Sequence, residues 1–550
     1  MRLHKQLARA RYGLPVLLLA ILALLPCPAR GSGRLDPVRA IWLTTDFQVV
    51  NLRADAELFS AVFLNPAGAP AGMITGTLPA GGAHYFGPGD LPVPGTFSGT
   101  LVLMTPGEAA VGVVHLETSS NADGNEVFAG VADETVTKTA YLPVDLCTTV
   151  HIHNPSLLSD AQVLVVVLDD QGGAVGGWSP TVLRQATTVI RIASLPSLPS
   201  SFFGSAVVLA DVPIMVTARY TCGGLASFPA ATRGAGFLSL PRVPQEVAGQ
   251  VTTTISVQDT APMAGTGRIY YSGGYSESFS LQPYGTVVLR PPSGTGGGPA
   301  VLTATVAIVA VQRTIANTGD EQGLYMVRAF NPSLEATEAA ALPVLFSGSN
   351  GWSTGNRIWL KNAGPVTATI KIRYVSIPDG SVFWQQAEVG PGQVWQTSTP
   401  PMPAGRAAAI ALADQPILAL AGAIDLSPSG NVSDRQVRYR GMNFSFDCPA
   451  VTGTDFAWYP TPVAGLPLTL MASSAPESHQ PVSYRWQVGN SLPIAGQLIR
   501  RVFFMEPGTY TVTVTASNCL DFHQERRSRA LTVVPAPGRA YLPLLFKGHK

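Results

Sequence analysis

Apolar and polar residues alternate in short runs along most of the chain, and few stretches keep the spacing of a helix. Four runs end on Asn or Asp: Phe47-Gln48-Val49-Val50-Asn51, Val150-His151-Ile152-His153-Asn154, Ile255-Ser256-Val257-Gln258-Asp259 and Ile358-Trp359-Leu360-Lys361-Asn362. Their last residues stand 103, 105 and 103 positions apart. A Leu-Pro pair precedes the last three runs, at Leu142-Pro143, Leu240-Pro241 and Leu342-Pro343, with spacings of 98 and 102. Two independent markers therefore give one period of about a hundred residues, the signature of a repeated structural unit.

Within the period the features keep their order. Gly-containing hairpin turns follow the second strand, at Asn65-Pro66-Ala67-Gly68, Asp169-Asp170-Gln171-Gly172-Gly173 and Pro378-Asp379-Gly380. Smaller turns come next, around Pro79-Ala80-Gly81, Pro283-Tyr284-Gly285 and Pro391-Gly392, and apolar runs then start near Phe97, Phe203 and Gly405. The second and fourth units add a strand after proline, at Pro213-Ile214-Met215-Val216 and Pro416-Ile417-Leu418-Ala419. About seven short alternating strands per unit predict an antiparallel β-sandwich. The fold class is thus all-β, with tandem Ig-like sandwiches at residues 35–138, 139–236, 237–340 and 341–430. The third unit is the most divergent. Its Ser293-Gly294-Thr295-Gly296-Gly297-Gly298 loop lacks the Lys and the strand-to-helix context of a phosphate loop, so it reads as a flexible connection.

Composition narrows the function. Only 13% of residues are charged, against about 25% in an average globular chain. The formal net charge of +1 gives no electrostatic case for nucleic acid. Arg2, Lys5, Arg9 and Arg11 followed by an apolar stretch over residues 13–25 read as a secretory signal at residues 1–29, cut after Ala29. A lipoprotein reading of Cys27 is disfavoured by Pro26, which stands where a small residue is wanted. The most apolar later stretch, residues 407–424, carries Asp414, Gln415 and Pro416 at its middle and does not read as a membrane span. A secreted or cell-surface protein is expected. Its four remaining cysteines suggest two disulfides, and the pairing that stays within domains is Cys147 with Cys222 and Cys448 with Cys519.

The C-terminal part reads differently. Phe456-Ala457-Trp458 with Pro460, then Ser483-Tyr484-Arg485-Trp486-Gln487-Val488-Gly489-Asn490, then Pro507-Gly508-Thr509-Tyr510-Thr511-Val512-Thr513-Val514 lie in order between residues 448 and 535. This stretch resembles a PKD domain, the Ig-like sandwich named for polycystic kidney disease protein. The resemblance covers under a fifth of the chain and implies an extracellular spacer or interaction module, often found beside hydrolases or adhesive repeats. Trp486 corresponds to the family's core Trp. The usual Asp after that Trp is Gln487 here, and the usual Asp after Gly is Asn490, so a cation role tied to those carboxylates is not carried over. The upstream repeats resemble those of other secreted bacterial surface proteins.

No catalytic set emerges. The chain has neither a GxSxG elbow nor HExxH, and its histidines are scattered. His151 and His153 share one strand face and are expected to meet solvent, with no third metal ligand indicated. The acid pairs Asp169-Asp170 and Asp320-Glu321 lie in turns, without the full ligand set of a calcium motif. No cofactor and no enzymatic activity are expected.

One enrichment supports a sharper expectation: Trp352, Trp359, Trp384 and Trp395, four of the eight tryptophans, fall in the fourth unit. Parity turns Trp359 and Lys361 outward on one strand, and Lys371 and Arg373 outward on another. With Trp395 they would form an aromatic and cationic platform for a glycan, whereas Trp352 and Trp384 read as packing residues. Residues 540–547, Ala-Tyr-Leu-Pro-Leu-Leu-Phe-Lys, repeat the pattern of Ala140-Tyr141-Leu142-Pro143-Val144 and invite strand addition to a partner sheet, although a short exposed or self-docked tail is the simpler reading. The expected function is structural or adhesive, with surface proteins or polysaccharides as partners. The alternative is an accessory carbohydrate-binding component of a secreted hydrolase system.

Overall fold

The structure, a computed structural model, describes residues 39–535 apart from 44–45, 54–55, 95–96, 98, 106–110, 119–124, 130–135, 197, 223–225, 245–250, 294–296, 317–322, 348–356, 378, 399–404, 427–431, 445–448, 477, 479–481 and 490–492. The signal at 1–29, Trp352, Asp320-Glu321, Cys448 and the segment 540–550 lie outside the described residues. The chain divides into two compact parts, Met1–Ser445 and Phe446–Lys550, and their elements are almost all antiparallel strands.

The second sandwich shows how one repeat is built. Its strands are Thr137–Asp145, Thr148–His153, Ala161–Asp169, Ala174–Trp178, Thr187–Arg191, Phe203–Tyr220 and Ala226–Pro229, with a two-residue piece at Thr181–Val182. The long strand Phe203–Tyr220 serves both sheets. Its first half pairs with Thr137–Asp145 and Ala161–Asp169. Its second half pairs with Thr148–His153 and Ala226–Pro229. The crossing falls where the register shifts between Leu209 and Ile214. Pro213 there has no N–H to give to a ladder. Asp211 Oδ1 instead accepts the Gln162 amide at 2.8 Å, which anchors the start of the neighbouring strand.

The fourth sandwich uses the same device in its long strand Gly405–Leu426: Asp414 Oδ1 accepts the Thr369 amide at 2.8 Å, two residues before Pro416. The apolar stretch at 407–424 is therefore a strand that passes from sheet to sheet. The third sandwich has the counterpart Gly298–Ala316, and the first has Gly99–Met104 and Val111–Thr118. Each repeat closes over its own core. In the second, Leu142, Val150, Ile152, Val163, Val165 and Val167 are at most 1% exposed, and each is worth about 1.5–3 kcal/mol of burial. Two strands of the fourth sandwich, Val432–Arg440 and Met442–Phe444, lie beyond residue 430, and the second pairs with the first strand, Thr337–Ser347. Asp434, Arg435 and Arg438 give Val432–Arg440 a polar sequence that conceals a strand.

The four sandwiches form a closed ring. In each, the sheet containing the first strand packs its outer face on the other sheet of the following sandwich. From first to second, Thr187 N donates to Pro66 O at 3.2 Å, and Thr100 and Thr187 hydroxyls meet at 2.8 Å. From second to third, Thr286 N donates to Asp170 O at 2.9 Å, and Arg313 reaches Asp145 at 3.3 Å and donates to Tyr220 Oη at 2.8 Å. From third to fourth, Lys361 Nζ donates to Ser239 Oγ at 2.8 Å. From fourth back to first, Gln48 Nε2 donates to Pro343 O and, at 3.0 Å, to Ala407 O. The strands Asn125–Ala129, Ala226–Pro229, Gly323–Arg328 and Val432–Arg440, each the partner of its repeat's crossing segment, touch in the same cyclic order, the fourth returning to the first.

The C-terminal part is a separate sandwich. One sheet holds Asp455–Tyr459, Pro467–Ser473 and Leu498–Phe503, and the other holds Ile494–Ala495, Ser483–Val488, Gly508–Asn518 and His523–Val533. Trp486 is fully buried, donates from Nε1 to Gly496 O at 2.7 Å, and meets Phe456 edge-on at 5.4 Å between centroids. Val512, Val514 and Leu531 complete that core at 0% exposure. Cys147 and Cys222 are bonded, with Cα atoms 5.4 Å apart, and close a separation of 75 residues within the second sandwich. Cys519 is also disulfide-bonded, and Asn518 donates to the carbonyl of Pro449, the residue after Cys448.

The Asn or Asp that marks the repeat is a buried clamp. Asn154 Nδ2 donates to Ser159 O at 2.8 Å and Val182 O at 3.0 Å, while its Oδ1 accepts Ser156 N at 3.0 Å. Asn362 donates to Val366 O at 2.7 Å and Val389 O at 2.8 Å and accepts Gly364 N at 2.8 Å. Asn51 does the same toward Leu78 O, Pro79 O and Arg53 N. One amide thus holds a turn and ties the end of one strand to two carbonyls. In the third sandwich Asp259 occupies the position, accepting Ala261 N at 2.7 Å but having no amide to donate. Its Oδ2 is buried and has no hydrogen-bond partner among the described residues, and burial pushes the carboxyl up to about 6.

Two outcomes follow from the clamp. Asn362→Ala leaves the carbonyls of Val366 and Val389 without their donor, and chemical denaturation should show a loss of about 2–3 kcal/mol; a loss within error of zero would refute the clamp. Asp259 favours its protonated form in the fold, so its contribution is fully present below the unfolded carboxylate pKa and is lost as pH rises through about 6. Asp259→Asn should therefore raise the melting temperature at pH 7 by more than at pH 4, and an equal gain at both would contradict the assignment.

Candidate functional site

Closure of the ring decides which faces meet solvent. In the strand Arg357–Asn362, Ile358 and Leu360 enter the core of their own sandwich, as parity requires, and Trp359 and Lys361 point to the other side. That side is covered. Trp359 is 2% exposed, packs with Tyr325 and Val327 of the third sandwich, and has the Arg242 guanidinium 6.0 Å from its ring. Lys361 is 6% exposed, and burial lowers its ammonium to about 8. Neither residue forms the exposed platform expected of it.

The same correction applies to the histidines. His153 is 1% exposed, with Nδ1 3.0 Å from Thr187 Oγ1, and burial lowers both His151 and His153 to about 4. They stand in the junction between the first and second sandwiches and do not face water. Sequence parity identifies the side of a strand but is silent on what lies beyond it. Between the third and fourth sandwiches, Glu335 bridges Arg328 at 2.7 Å and Arg440 at 2.9 Å, and these guanidinium groups hold its carboxyl down at about 2 against the opposing effect of burial.

The outer face of the other sheet of the fourth sandwich is more open. Strands Ala368–Ser376 and Val382–Val389 pair with Arg373 opposite Trp384, Lys371 opposite Gln386 and Thr369 opposite Glu388. Ile370, Ile372 and Tyr374 take the inward positions at 0% exposure, which fixes the others as outward. Trp384 is 39% exposed beside the two cations, and Arg373 Nη1 donates to Gly81 O at 2.9 Å across the junction with the first sandwich. Trp395 sits elsewhere: it is opposite Leu360 and packs against the core of its own sandwich. Of the five residues expected together, only Lys371 and Arg373 share this face, and the aromatic that joins them is Trp384. The Pro378-Asp379-Gly380 turn carries the signal, since it sets the register that brings positions 373 and 384 opposite each other.

A second open face lies on the third sandwich. Thr266 and Arg268 on Gly265–Tyr271, Ser278 and Ser280 on Ser276–Leu281, and Thr303 and Thr305 on Gly298–Ala316 line a shallow cleft of about 560 Å³. Arg268 Nε donates to Ser278 Oγ at 3.1 Å. Among the described residues, no group of three or more His, Cys, Asp and Glu side chains is placed to hold a metal ion, and no helix is long and apolar enough to cross a membrane.

Comparison with known proteins yields little over the first four sandwiches. No curated protein sequence matches the chain. Among solved structures, an amphioxus IgVJ-C2 molecule aligns with 16% identity over 34% of this chain and 99% of its own, at a TM-score of 0.14. The chicken CNTN1 FN1-FN3 domains align with 10% identity over 54% of this chain and 99% of their own, at a TM-score of 0.14. A Salmonella alpha-2-macroglobulin reacted with methylamine aligns with 10% identity over 93% of this chain, which spans 41% of that protein's length, again at a TM-score of 0.14. The C-terminal part is different: residues 456–524 match the family model of the PKD domain.

Proposed function

We propose that this is a non-catalytic, exported scaffold protein whose sandwich ring presents glycan-binding surfaces, with the PKD-like part serving as a spacer or a second contact module. The carrying observation is the face where Trp384 stands opposite Arg373 and beside Lys371. A half-exposed indole offers a flat apolar surface to a sugar ring, and the two cations add hydrogen-bond donors and attraction for acidic groups. The ring supports the reading: Arg373 is held from the first sandwich, so the face is positioned by two repeats at once. The Cys147–Cys222 disulfide and the basic, then apolar, N-terminal segment fit export to an oxidising compartment.

In this reading surface polysaccharides are the main partners, either on a cell or as the target of a secreted hydrolase system.

The test is binding of the purified mature protein to an array of bacterial and plant polysaccharides. Trp384→Ala should weaken the bound polysaccharides about tenfold, about 1.4 kcal/mol, with an unchanged melting temperature. Trp395→Ala should reduce stability and leave the affinity per folded molecule unaltered. Undiminished binding by Trp384→Ala would remove this face from the function.

A further inference from the structure

We propose that the cleft on the third sandwich is a separate subsite for an acidic sugar, in which Arg268 pairs with a carboxylate or sulfate and the surrounding hydroxyls bond to the ring's oxygens. The inference deepens the glycan reading above and rests on it.

Four strands set out the subsite in one row. Phe237 lies opposite Thr303, Thr303 opposite Arg268, and Arg268 opposite Ser278. At the usual strand spacing of about 4.8 Å the row is roughly 14 Å long, room for about two sugar rings. Thr266 and Ser280 form the adjacent pair on the same face. Tyr270 follows two residues after Arg268 on that face, and Tyr270 and Phe237 are 46% and 47% exposed, so aromatic surface borders the hydroxyls. Such a border suits the apolar face of a pyranose.

The charge pattern selects the ligand's sign. On the strands that line the cleft the one carboxylate is Glu277, which sits opposite Ile269 and so shares the parity of that fully buried residue, away from the cleft. Arg313, Arg328, Arg440, Arg485 and Arg529 each meet a carboxylate. Arg268 meets only Ser278, through Nε, among the described residues. That bond engages Nε and leaves the two Nη groups to offer the paired donors that match a carboxylate or sulfate. Thr303 Oγ1 and Thr305 Oγ1 turn back toward the carbonyls of Arg268 and Thr266, at 3.5 and 3.2 Å, so the hydroxyl positions are set before a ligand arrives.

Calorimetric titration of the full mature protein with oligogalacturonate, sulfated dextran and uncharged dextran tests this. Arg268→Gln should lose about tenfold in affinity for whichever charged probe binds and nothing for uncharged dextran, while Arg268→Lys, which keeps the charge without the fork, should recover only part of the loss. Preference for oligogalacturonate identifies a uronate, and preference for sulfated dextran a sulfate ester. Equal affinities for Arg268→Gln and the parent protein would overturn the subsite. If Trp384→Ala still lost binding, the fourth sandwich's role would stand without it. A parent protein that binds none of the probes overturns the subsite too, and the polysaccharide array then decides the broader reading independently.

Discussion

The structure of the first 445 residues depends on covering one sheet face in every repeat. A two-sheet sandwich normally buries one face of each sheet and leaves the other to water. Here the second sheet of each sandwich also buries its outer face, against the preceding repeat, and the fourth sandwich does so for the first. This constraint explains residues that have no purpose inside their own core. Gln48, His153, Gln258 and Lys361 are all at most 6% exposed and polar, and they lie on strands of that second sheet. A chain of independent repeats would leave such positions wet.

Polar junctions are an expensive way to close a ring, because each buried group must be compensated. The compensation is visible in Glu335 between two arginines, in Gln48 reaching two carbonyls, and in Arg406 and Arg440 stacked 3.6 and 3.8 Å over Tyr85 and Phe330 of the neighbouring repeat. Directional contacts of this kind distinguish one junction from another, which greasy faces would not. They also make the ring sensitive to acid. His151 and His153 are kept neutral, so their contribution is present above the unfolded pKa of about 6.5 and is lost as pH falls through about 4. Glu335 contributes above the ordinary carboxylate range and loses its contribution toward pH 2. Asp259 runs the other way, and the three effects together place greatest stability nearer neutrality than acid.

Much of this was legible in the residues. The hundred-residue period and the sandwich class follow from alternation, spacing and turn chemistry, which are local; Cys147 with Cys222 follows from keeping the pair within one repeat, and the PKD-like motif with Trp486 at its centre from its resemblance to that family. Parity correctly turned Trp359 and Lys361 away from their own core. It failed on their exposure, because burial there depends on Tyr325, Val327 and Ser239, about 35 to 120 positions away in the chain. Trp384 reads as a packing residue when its own strand is taken alone; its outward position follows only from the register that sets it opposite Arg373. The four-sandwich ring was not legible at all, since it is made by pairs such as Gln48 with Pro343, whose separation of 295 residues leaves no mark in sequence.

Ring closure also limits where a partner can bind. With the outer face of one sheet consumed in each repeat, the open surface belongs to the other sheet, toward its third and fourth strands. Both candidate surfaces lie there, one with Trp384 opposite Arg373 and one with Arg268 among hydroxyls. The inward residues of these strands fill the core, while outward ones such as Trp384, Tyr270 and Arg268 line the open surface. The repeats can therefore keep the sheet-crossing strand, the clamp position and the covered face while changing the open one. Differences between the third and fourth sandwiches at these outward positions are differences in what is presented, held on a frame that the closed ring makes common to both.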